Sequence, residues 1–433
     1  MTTTTLPLAA AVSLGHALVA DVAEELQLPV LFIKGVVAVS QGLRAEDYVP
    51  GDVDVLCTAD RAPELIAGLA ARGWQPRPES AAHARFVTHS TTLLHPEWPC
   101  DIDIHTSFPG FFADPDTVFE ALWQHRERHH VAGVGLWAPD YPAHALIVLL
   151  HGLRSPDLSK NAEEVARSTD RFAAMSEADR ASTRELIRRT GASEVVAEVL
   201  NPLGWQIEVP AQPSAQFVLW KINSGPTNAE GWLVAIAEAR GLDRLRLIYR
   251  AALPSREDLL IDYPQVADAA LPTAKAYVQR LVRAASRVPH AVRHVASTGW
   301  LAARRTPNPD LSADPRVPAR AVDQVPVPAY PASSSHAQSR STPIASPPGE
   351  RWAVYEPATD DEAFVLRLSE RGSTSPMRLN GVGLAILTLL DDTGGDVDQA
   401  VREAARLWPQ PEDELRTVIT GFQQEMSRLG VLP

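Results

Sequence analysis

The amino-acid sequence predicts an α+β protein in which a mixed sheet with a helical extension precedes a second, small α+β domain. Alternation of polar and apolar residues over 52–56 and 101–105 predicts two β-strands, because successive strand side chains point to opposite faces. Helical spacing of apolar residues predominates over 176–300. Residues 306–349 hold ten prolines and seven serines in 44 positions, which is typical of a linker between domains.

The first elements are a helix and a short strand that lead into a turn. Residues 8–27 have helical spacing and end before Pro29, which cannot continue a helix. The apolar run Val30–Ile33 predicts a buried strand, and Lys34 and Gly35 follow it. Glycine permits a close backbone approach to a phosphate, and lysine adds a compact positive charge. We therefore predict a phosphate-binding turn, with Lys34 as a solvated residue whose replacement leaves stability nearly unchanged.

Two carboxylates occupy alternate positions of the next strand, which spans Asp52–Leu56. Asp52 and Asp54 project from one face of this strand, whereas Val53 and Val55 face a core. Neighbouring carboxylates repel each other unless a cation lies between them. The pattern therefore predicts a site for Mg²⁺, which takes oxygen ligands and bridges carboxylates to substrate phosphates.

The segment after this strand predicts the rest of a small mixed sheet. Residues 61–72 form an amphipathic helix that ends at Gly73, and Ala84–His89 and Thr91–His95 read as strands. In the strand that follows, Asp101, Asp103 and His105 share one face. Asp101 or Asp103 can supply a third carboxylate to the site.

Together these motifs resemble the DNA polymerase beta-type nucleotidyltransferase superfamily, over about residues 10–175. They are most similar to an uncharacterised bacterial branch with a Leu-Lys-Gly-like turn, a Gly-Asp-x-Asp strand, an Asp-hydrophobic-His strand and a later histidine in an apolar helix. The matching residues here are Ile33–Gly35, Gly51–Leu56, Asp103–His105 and Leu149–Gly152.

The resemblance implies transfer of a nucleotidyl group, AMP from ATP or its counterpart from another nucleoside triphosphate, with Mg²⁺ as cofactor. It assigns the catalytic and metal-binding roles to Asp52, Asp54 and Asp103, since the Asp-x-His pattern favours Asp103 over Asp101. The residues expected to contact the nucleotide are Lys34, Gly35, His105 and His151. For His151, which follows the apolar helix from Tyr141, a helix-packing role is the alternative.

The C-terminal segment predicts three short strands and three helices over about 80 residues. The motif Leu379-Asn380-Gly381-Val382-Gly383 and the ending Leu429–Leu432 resemble the PqqD-like, winged-helix-type domain that recognises leader peptides in the maturation of ribosomal peptides. The resemblance implies that a peptide binds as an added strand near Met377–Leu379, against a helix over Leu415–Phe422. Leu415, Val418 and Phe422 are expected to line the groove.

Composition and charge exclude several classes of protein. The net charge is −13, and residues 350–433 carry 8 basic and 15 acidic side chains, which argues against a DNA-binding protein. No apolar run is long enough for a membrane span, and no basic segment precedes the first apolar stretch, so neither a membrane protein nor a signal peptide is expected. Cys57 and Cys100 read as buried thiols, and a cytoplasmic location follows.

The sequence therefore predicts a nucleotidyltransferase core over residues 1–175, a helical extension over 176–305, a linker over 306–349 and a peptide-binding domain over 350–433. A precursor or leader peptide is the expected partner and acceptor. Two alternatives stay open. One is a regulatory or toxin/antitoxin-type nucleotidyltransferase that acts on RNA or protein. The charge of +7 over 240–305 (12 basic, 5 acidic) is compatible with binding to RNA. The other is a non-catalytic peptide-binding adaptor.

Overall fold

The structure is a computed structural model that describes residues 6–78, 80, 89–155, 158–224, 229–263, 270–298, 300, 351–357, 362–368 and 375–428. The expected linker and all of the expected strand Ala84–His89 except His89 lie outside these residues. Within them the chain has a mixed α+β fold with many helices, as the sequence predicts. None of the described helices combines the length and the hydrophobicity needed to cross a bilayer.

The strands are β1 (Leu31–Phe32), β2 (Asp52–Leu56), β3 (Gln75–Pro76), β4 (Ser90–Leu94), β5 (Asp101–His105), β6 (Arg126–Val131), β7 (Val134–Pro139), β8 (Arg351–Tyr355), β9 (Glu362–Leu368) and β10 (Met377–Asn380). The helices of the first part are α1 (Leu8–Glu25), α2 (Gly35–Ser40), α3 (Ala62–Ala70), α4 (Pro115–Gln124), α5 (Tyr141–Leu153), α6 (Ser159–Ala174), α7 (Glu177–Thr190) and α8 (Ser193–Leu200). They are followed by α9 (Ala215–Asn223), α10 (Ala229–Glu238), α11 (Gly241–Ala252), α12 (Arg256–Asp262), α13 (Ala270–Ser297), α14 (Gly381–Asp392), α15 (Val397–Leu407) and α16 (Glu412–Arg428).

The central sheet has five strands in the order β1-β2-β5-β4-β3. Strands β2 and β5 run parallel, and every other neighbouring pair in this sheet is antiparallel, so the predicted mixed sheet is confirmed. The parallel register places Asp52 beside Asp101 and Asp54 beside Asp103. Because directly paired residues on adjacent strands face the same side, the carboxylates of both strands lie on one face of the sheet.

The two faces of this sheet border two different cores. Val53, Val55 and Ile102 lie in a core with α1, whose side chains from Ala10 to Ala23 are all buried. Leu56, on the carboxylate face, lies in the second core with α4, α5, α7 and α8. The carboxylates predicted from the sequence therefore lie on the face of the sheet that borders this second core.

Helix α5 is the central element of the second core. It starts at a cap in which the Asp140 carboxylate accepts a hydrogen bond from the Ala143 backbone N–H at 3.0 Å, and Pro142 occupies its first turn, where a missing N–H costs nothing. Its side chains from Ala143 to Leu150 are all buried. This burial fixes the position of α5 over the sheet, as the run of apolar residues predicts.

In the sequence, the segment 274–287 has helical spacing and Val288-Pro289 predicts a break after it; this prediction is wrong, because α13 continues through Pro289 to Ser297. Proline removes one backbone N–H, and on an exposed helix the carbonyl that loses its partner can bind water instead. Val288 and Val292 flank this position and are both exposed.

The C-terminal strands form a separate sheet in the order β10-β9-β8, followed by the three predicted helices. This sheet packs against α1: Phe364 and Leu366 are buried in the same core as that helix. The Val354 backbone N–H also donates a hydrogen bond to the Ala132 carbonyl, at 3.0 Å. The first and last parts of the chain therefore share one apolar core on the side of the central sheet opposite the carboxylates.

Candidate active site

The turn after β1 has an unusual backbone. Lys34 has φ of 63° and ψ of −142°, and Gly35 follows with φ of 55°. The turn is fixed at both ends, because the Ile33 N–H donates to the Asp54 carbonyl at 3.0 Å and the Ala38 N–H donates to the Lys34 carbonyl at 3.1 Å. A Cβ atom on Gly35 would lie 3.1 Å from His16 Nε2, so glycine is required both by its φ and by this close approach.

The structure brings Lys34, Asp54 and His105 into one buried cluster. Lys34 Nζ lies 2.5 Å and His105 Nε2 lies 2.8 Å from the same oxygen, Asp54 Oδ1. All three residues are buried, and Lys34, the most accessible of them, is only 8% exposed. Burial alone raises the pKa of the Asp54 carboxyl, but the Lys34 ammonium and the hydrogen bond from His105 outweigh it and hold that pKa well below its usual range. Asp54 is therefore ionised at every physiological pH.

The buried position of Lys34 contradicts the prediction of a solvated turn residue. Its ammonium points back to Asp54 instead of into water, and it lies 6.0 Å from the centre of the Phe108 ring. We therefore expect that its replacement costs stability, because removal of one partner leaves a buried charge unpaired.

Asp54, Asp103 and His105 are close enough to share a metal ion. One ligand atom from each of them lies within 4.8 Å of the others. Asp103 Oδ1 is buried and has no hydrogen-bond partner among the described residues, so an acceptor in this cluster lacks a donor or a cation. The residues present thus fit a hard divalent cation, for which carboxylate oxygens are the preferred ligands.

Asp52 lies on the same face of β2, nearer the end of the strand, and is only partly buried. Burial raises the pKa of its carboxyl to about 6, and the negative charge of Asp54 adds to this rise, while Lys34 opposes it. The neighbouring Asp101 forms an ion pair with Arg77 at an exposed edge of the site. Asp101 is thus already paired, whereas Asp103 lies close to Asp54 and His105.

A second polar cluster borders the carboxylates and contains His151. The guanidinium of Arg44 lies 3.1 Å from Glu164 Oε2, and His151 Nδ1 lies 3.1 Å from Glu164 Oε1. Burial raises the pKa of the Glu164 carboxyl, but His151 and Arg44 bring it below its ordinary value. His151 therefore contacts Glu164, and within the described part of the chain it forms no hydrogen bond or ion pair with Asp52, Asp54 or Asp103.

Sequence reasoning missed Arg44, Glu164, His144 and His16. Arg44 and Glu164 are 120 residues apart, and His144 contacts the Lys34 turn across 110 residues. No local pattern identifies such pairs. The one available signal was the polarity of His16 and His144 inside otherwise apolar helices, where a buried histidine requires a hydrogen-bond partner.

Comparison of the chain with protein-family models and with curated protein sequences finds no match. Among solved structures, the chain is similar to the antibiotic-resistance factor ANT(2'')-Ia, a solution structure. The similarity covers 42% of this chain and 96% of that chain, with 14% sequence identity and a TM-score of 0.29. A similarity at this level carries no argument about activity, so the functional conclusion rests on the residues of the site.

Proposed function

We propose that the chain is a Mg²⁺-dependent nucleotidyltransferase that transfers AMP from ATP, or the equivalent group of another nucleoside triphosphate, to an acceptor. The observation that carries the proposal is the register of β2 and β5, which aligns Asp54 with Asp103 on one face. Asp103 Oδ1 has no hydrogen-bond partner among the residues that the structure describes. Carboxylates so arranged suit a cation that also binds phosphates. The turn at Lys34 and Gly35 borders the same face: the Lys34 ammonium lies against Asp54, and the backbone of the turn would approach the triphosphate.

Each residue of the site has a role in this proposal. Asp52 and Asp54 would hold Mg²⁺ on the triphosphate, and Asp103 would complete the site as a metal ligand or as the base for an acceptor hydroxyl. The metal would neutralise charge that develops on the phosphate oxygens. His105 fixes the orientation of the Asp54 carboxylate through its hydrogen bond of 2.8 Å. His151 and Arg44, joined through Glu164, would border the bound nucleotide.

Asp103→Asn is expected to reduce nucleotidyl transfer at least about 10³-fold, because the loss of a metal ligand or of the base removes several kcal/mol of transition-state stabilisation. Asp101→Asn is the matched control, since Asp101 lies on the same face of β5 but pairs with Arg77. It should stay within about threefold of wild type. The rate of pyrophosphate release in the presence of Mg²⁺, nucleotide and a candidate acceptor measures the activity of both variants. Equal losses in the two variants would contradict the assignment of Asp103.

We further propose a leader-bearing ribosomal peptide as the acceptor, bound through residues 350–433. The support comes from the two edges of the C-terminal sheet. Strand β8 lies at the edge that packs against α1 and bonds to Ala132, whereas β10 lies at the opposite edge. An edge strand offers backbone groups that an extended peptide can pair with.

A cavity of about 210 Å³ beside α14 and α16 offers a place for an apolar side chain of such a peptide. Val382 and Val418 line it and are exposed, by 57% and 53%. Leu415 also lines the cavity but is itself a buried core residue, and Phe422 is half-buried against Leu379, so Val418 is the most accessible of the three residues predicted to line the groove.

Val418→Asp is expected to weaken binding of a precursor peptide at least about tenfold, because it places a charge in the apolar cavity. Leu407→Asp is the control, since Leu407 is 70% exposed on α15 and does not line this cavity. Titration calorimetry of the full chain with a precursor peptide encoded beside the gene measures the affinity. Absence of peptide binding together with tight, salt-sensitive binding of RNA would instead favour an RNA acceptor and the basic segment 240–305.

A further inference from the structure

The backbone conformation of Lys34 needs an external partner to hold it. The combination of φ at 63° and ψ at −142° belongs to a region that only glycine adopts readily, and lysine carries a Cβ atom. Such a residue persists only where its surroundings fix it. The backbone N–H of Lys34 opens the short helix α2 and has no carbonyl of that helix as partner.

His144 supplies that partner from α5. Its Nε2 accepts a hydrogen bond from the Lys34 backbone N–H at 2.6 Å, and the imidazole is completely buried. The other ring nitrogen, Nδ1, lies 2.5 Å from Gln41 Oε1. Gln41 Nε2 in turn donates to the Pro139 carbonyl at 2.9 Å and to a Glu127 carboxylate oxygen at 2.8 Å.

These contacts define the protonation of the imidazole. A carbonyl and a carboxylate can only accept, so the Gln41 amide must direct its NH₂ group to them and its oxygen to His144. Nδ1 of His144 therefore carries the proton, and Nε2 has a free lone pair for the Lys34 N–H. Burial also lowers the pKa of His144 to about 3, which keeps the ring neutral.

We propose that His144 is a positioning residue for the reaction: it holds the Lys34 backbone in its strained turn and thereby keeps the ammonium on Asp54. The inference deepens the proposed function and rests on it. Without an acceptor at Nε2, the peptide unit before Lys34 would relax toward an ordinary conformation, and Nζ would leave its position 2.5 Å from Asp54 Oδ1. A displacement of about 1 Å at such a site is enough to lower a rate about 10²-fold.

The test compares His144→Gln with His144→Met in the full chain. The two side chains have the same length, but glutamine provides an oxygen acceptor near the position of Nε2, whereas the methionine sulfur accepts only weakly. Both should lower the melting temperature by similar amounts. His144→Met should lower kcat/KM for nucleotidyl transfer about 10²-fold, and His144→Gln should stay within about fivefold of wild type.

His125→Met is a control at the start of α5: His125 follows α4 and contacts the residue that caps α5. His125 Nδ1 lies 3.0 Å from the carboxylate of Asp140, which caps α5, and it does not contact the Lys34 turn. It should lower the melting temperature without lowering kcat/KM more than about threefold. Equal activity losses in His144→Gln and His144→Met, or a comparable loss in His125→Met, would overturn the proposal and leave His144 a purely structural residue.

A second measurement separates this inference from the proposed function. In ¹⁵N NMR spectra at neutral pH, His144 should show the Nδ1–H tautomer, and the Lys34 amide proton should lie far downfield in wild type and His144→Gln but not in His144→Met. The opposite tautomer, or a Lys34 amide unchanged in His144→Met, would overturn the positioning role. Absence of nucleotidyl transfer by the wild type, with these signals as expected, would reject only the proposed function.

Discussion

Asp52→Asn is expected to abolish nucleotidyl transfer and, at the same time, to stabilise the metal-free protein at pH 8. The loss of activity should be at least about 10³-fold, because a ligand to the metal-held triphosphate is removed. The gain in stability follows from burial and the neighbouring Asp54 charge, which raise the pKa of Asp52 to about 6 from its ordinary 3.8. A carboxylate whose removal lowers activity but raises stability is required for function and not for folding.

The pH dependence gives the sign of the stability effect. Between pH 3.8 and about 6 the folded protein binds a proton on Asp52 that the unfolded chain has lost. The contribution of Asp52 to stability therefore falls as pH rises through this window and reaches its lowest value above it. Asparagine cannot ionise, so the variant should gain on the order of 1–3 kcal/mol in free energy of unfolding at pH 8 and little at pH 4.

Urea denaturation of the metal-free proteins at pH 4 and pH 8 measures this difference. Asp47→Asn is the control, because Asp47 is an exposed carboxylate in the loop before β2. It should change neither activity nor stability appreciably. Full activity of Asp52→Asn would show that Asp52 is not a metal ligand. A loss of stability at pH 8 that exceeds the loss at pH 4 would show that ionised Asp52 does not destabilise the fold.

Lys34→Met is expected to lower the free energy of unfolding by about 3–5 kcal/mol, because it leaves the buried Asp54 carboxylate without its ammonium partner. The side chains of the pair are only 10% and 3% exposed, so solvent screens the lost interaction little. Adding Asp54→Asn in the same chain removes the unpaired charge and should restore most of the lost free energy of unfolding. The double variant should therefore be more stable than Lys34→Met alone.

Arg77→Met is the matched control for this comparison. Arg77 forms the other ion pair at the edge of the site, with Asp101, but both side chains are more than a third exposed. Its replacement should cost no more than about 1 kcal/mol. Denaturation curves of the wild type, the two single variants and the double variant measure these differences. If Lys34→Met loses as little stability as Arg77→Met, Lys34 is solvated, as the sequence alone suggested.

The strand period is the reason that much of the site could be predicted from the sequence. Alternation over β2 and β5 assigns Asp52 and Asp54 to one face, and Asp103 and His105 to one face, without knowledge of the fold. The parallel register of the two strands then brings Asp54 and Asp103 together. Alternation also predicts the strands of the C-terminal sheet, and helical spacing predicts its three helices.

The features that the sequence did not reveal depend on contacts between distant segments. The burial of Lys34 and its backbone conformation result from Asp54, His144 and α5, which pack around the turn only in the folded chain. A turn residue next to glycine looks the same in a sequence whether it is solvated or enclosed. The packing of β9 against α1 was missed for a similar reason, since the apolar faces of these two elements fit each other but are more than 300 residues apart.

The measurement that tests the central claim most directly is the binding of nucleotide by the full chain with and without Mg²⁺. Calorimetric titration with non-hydrolysable α,β-methylene analogues of the four ribonucleoside triphosphates needs no acceptor, so an unknown acceptor does not affect it. The Asp52, Asp54 and Asp103 site predicts that at least one analogue binds to the wild type only when Mg²⁺ is present, and that Asp103→Asn removes this binding. Failure of all four analogues to bind, or binding that is independent of both Mg²⁺ and Asp103, would contradict it.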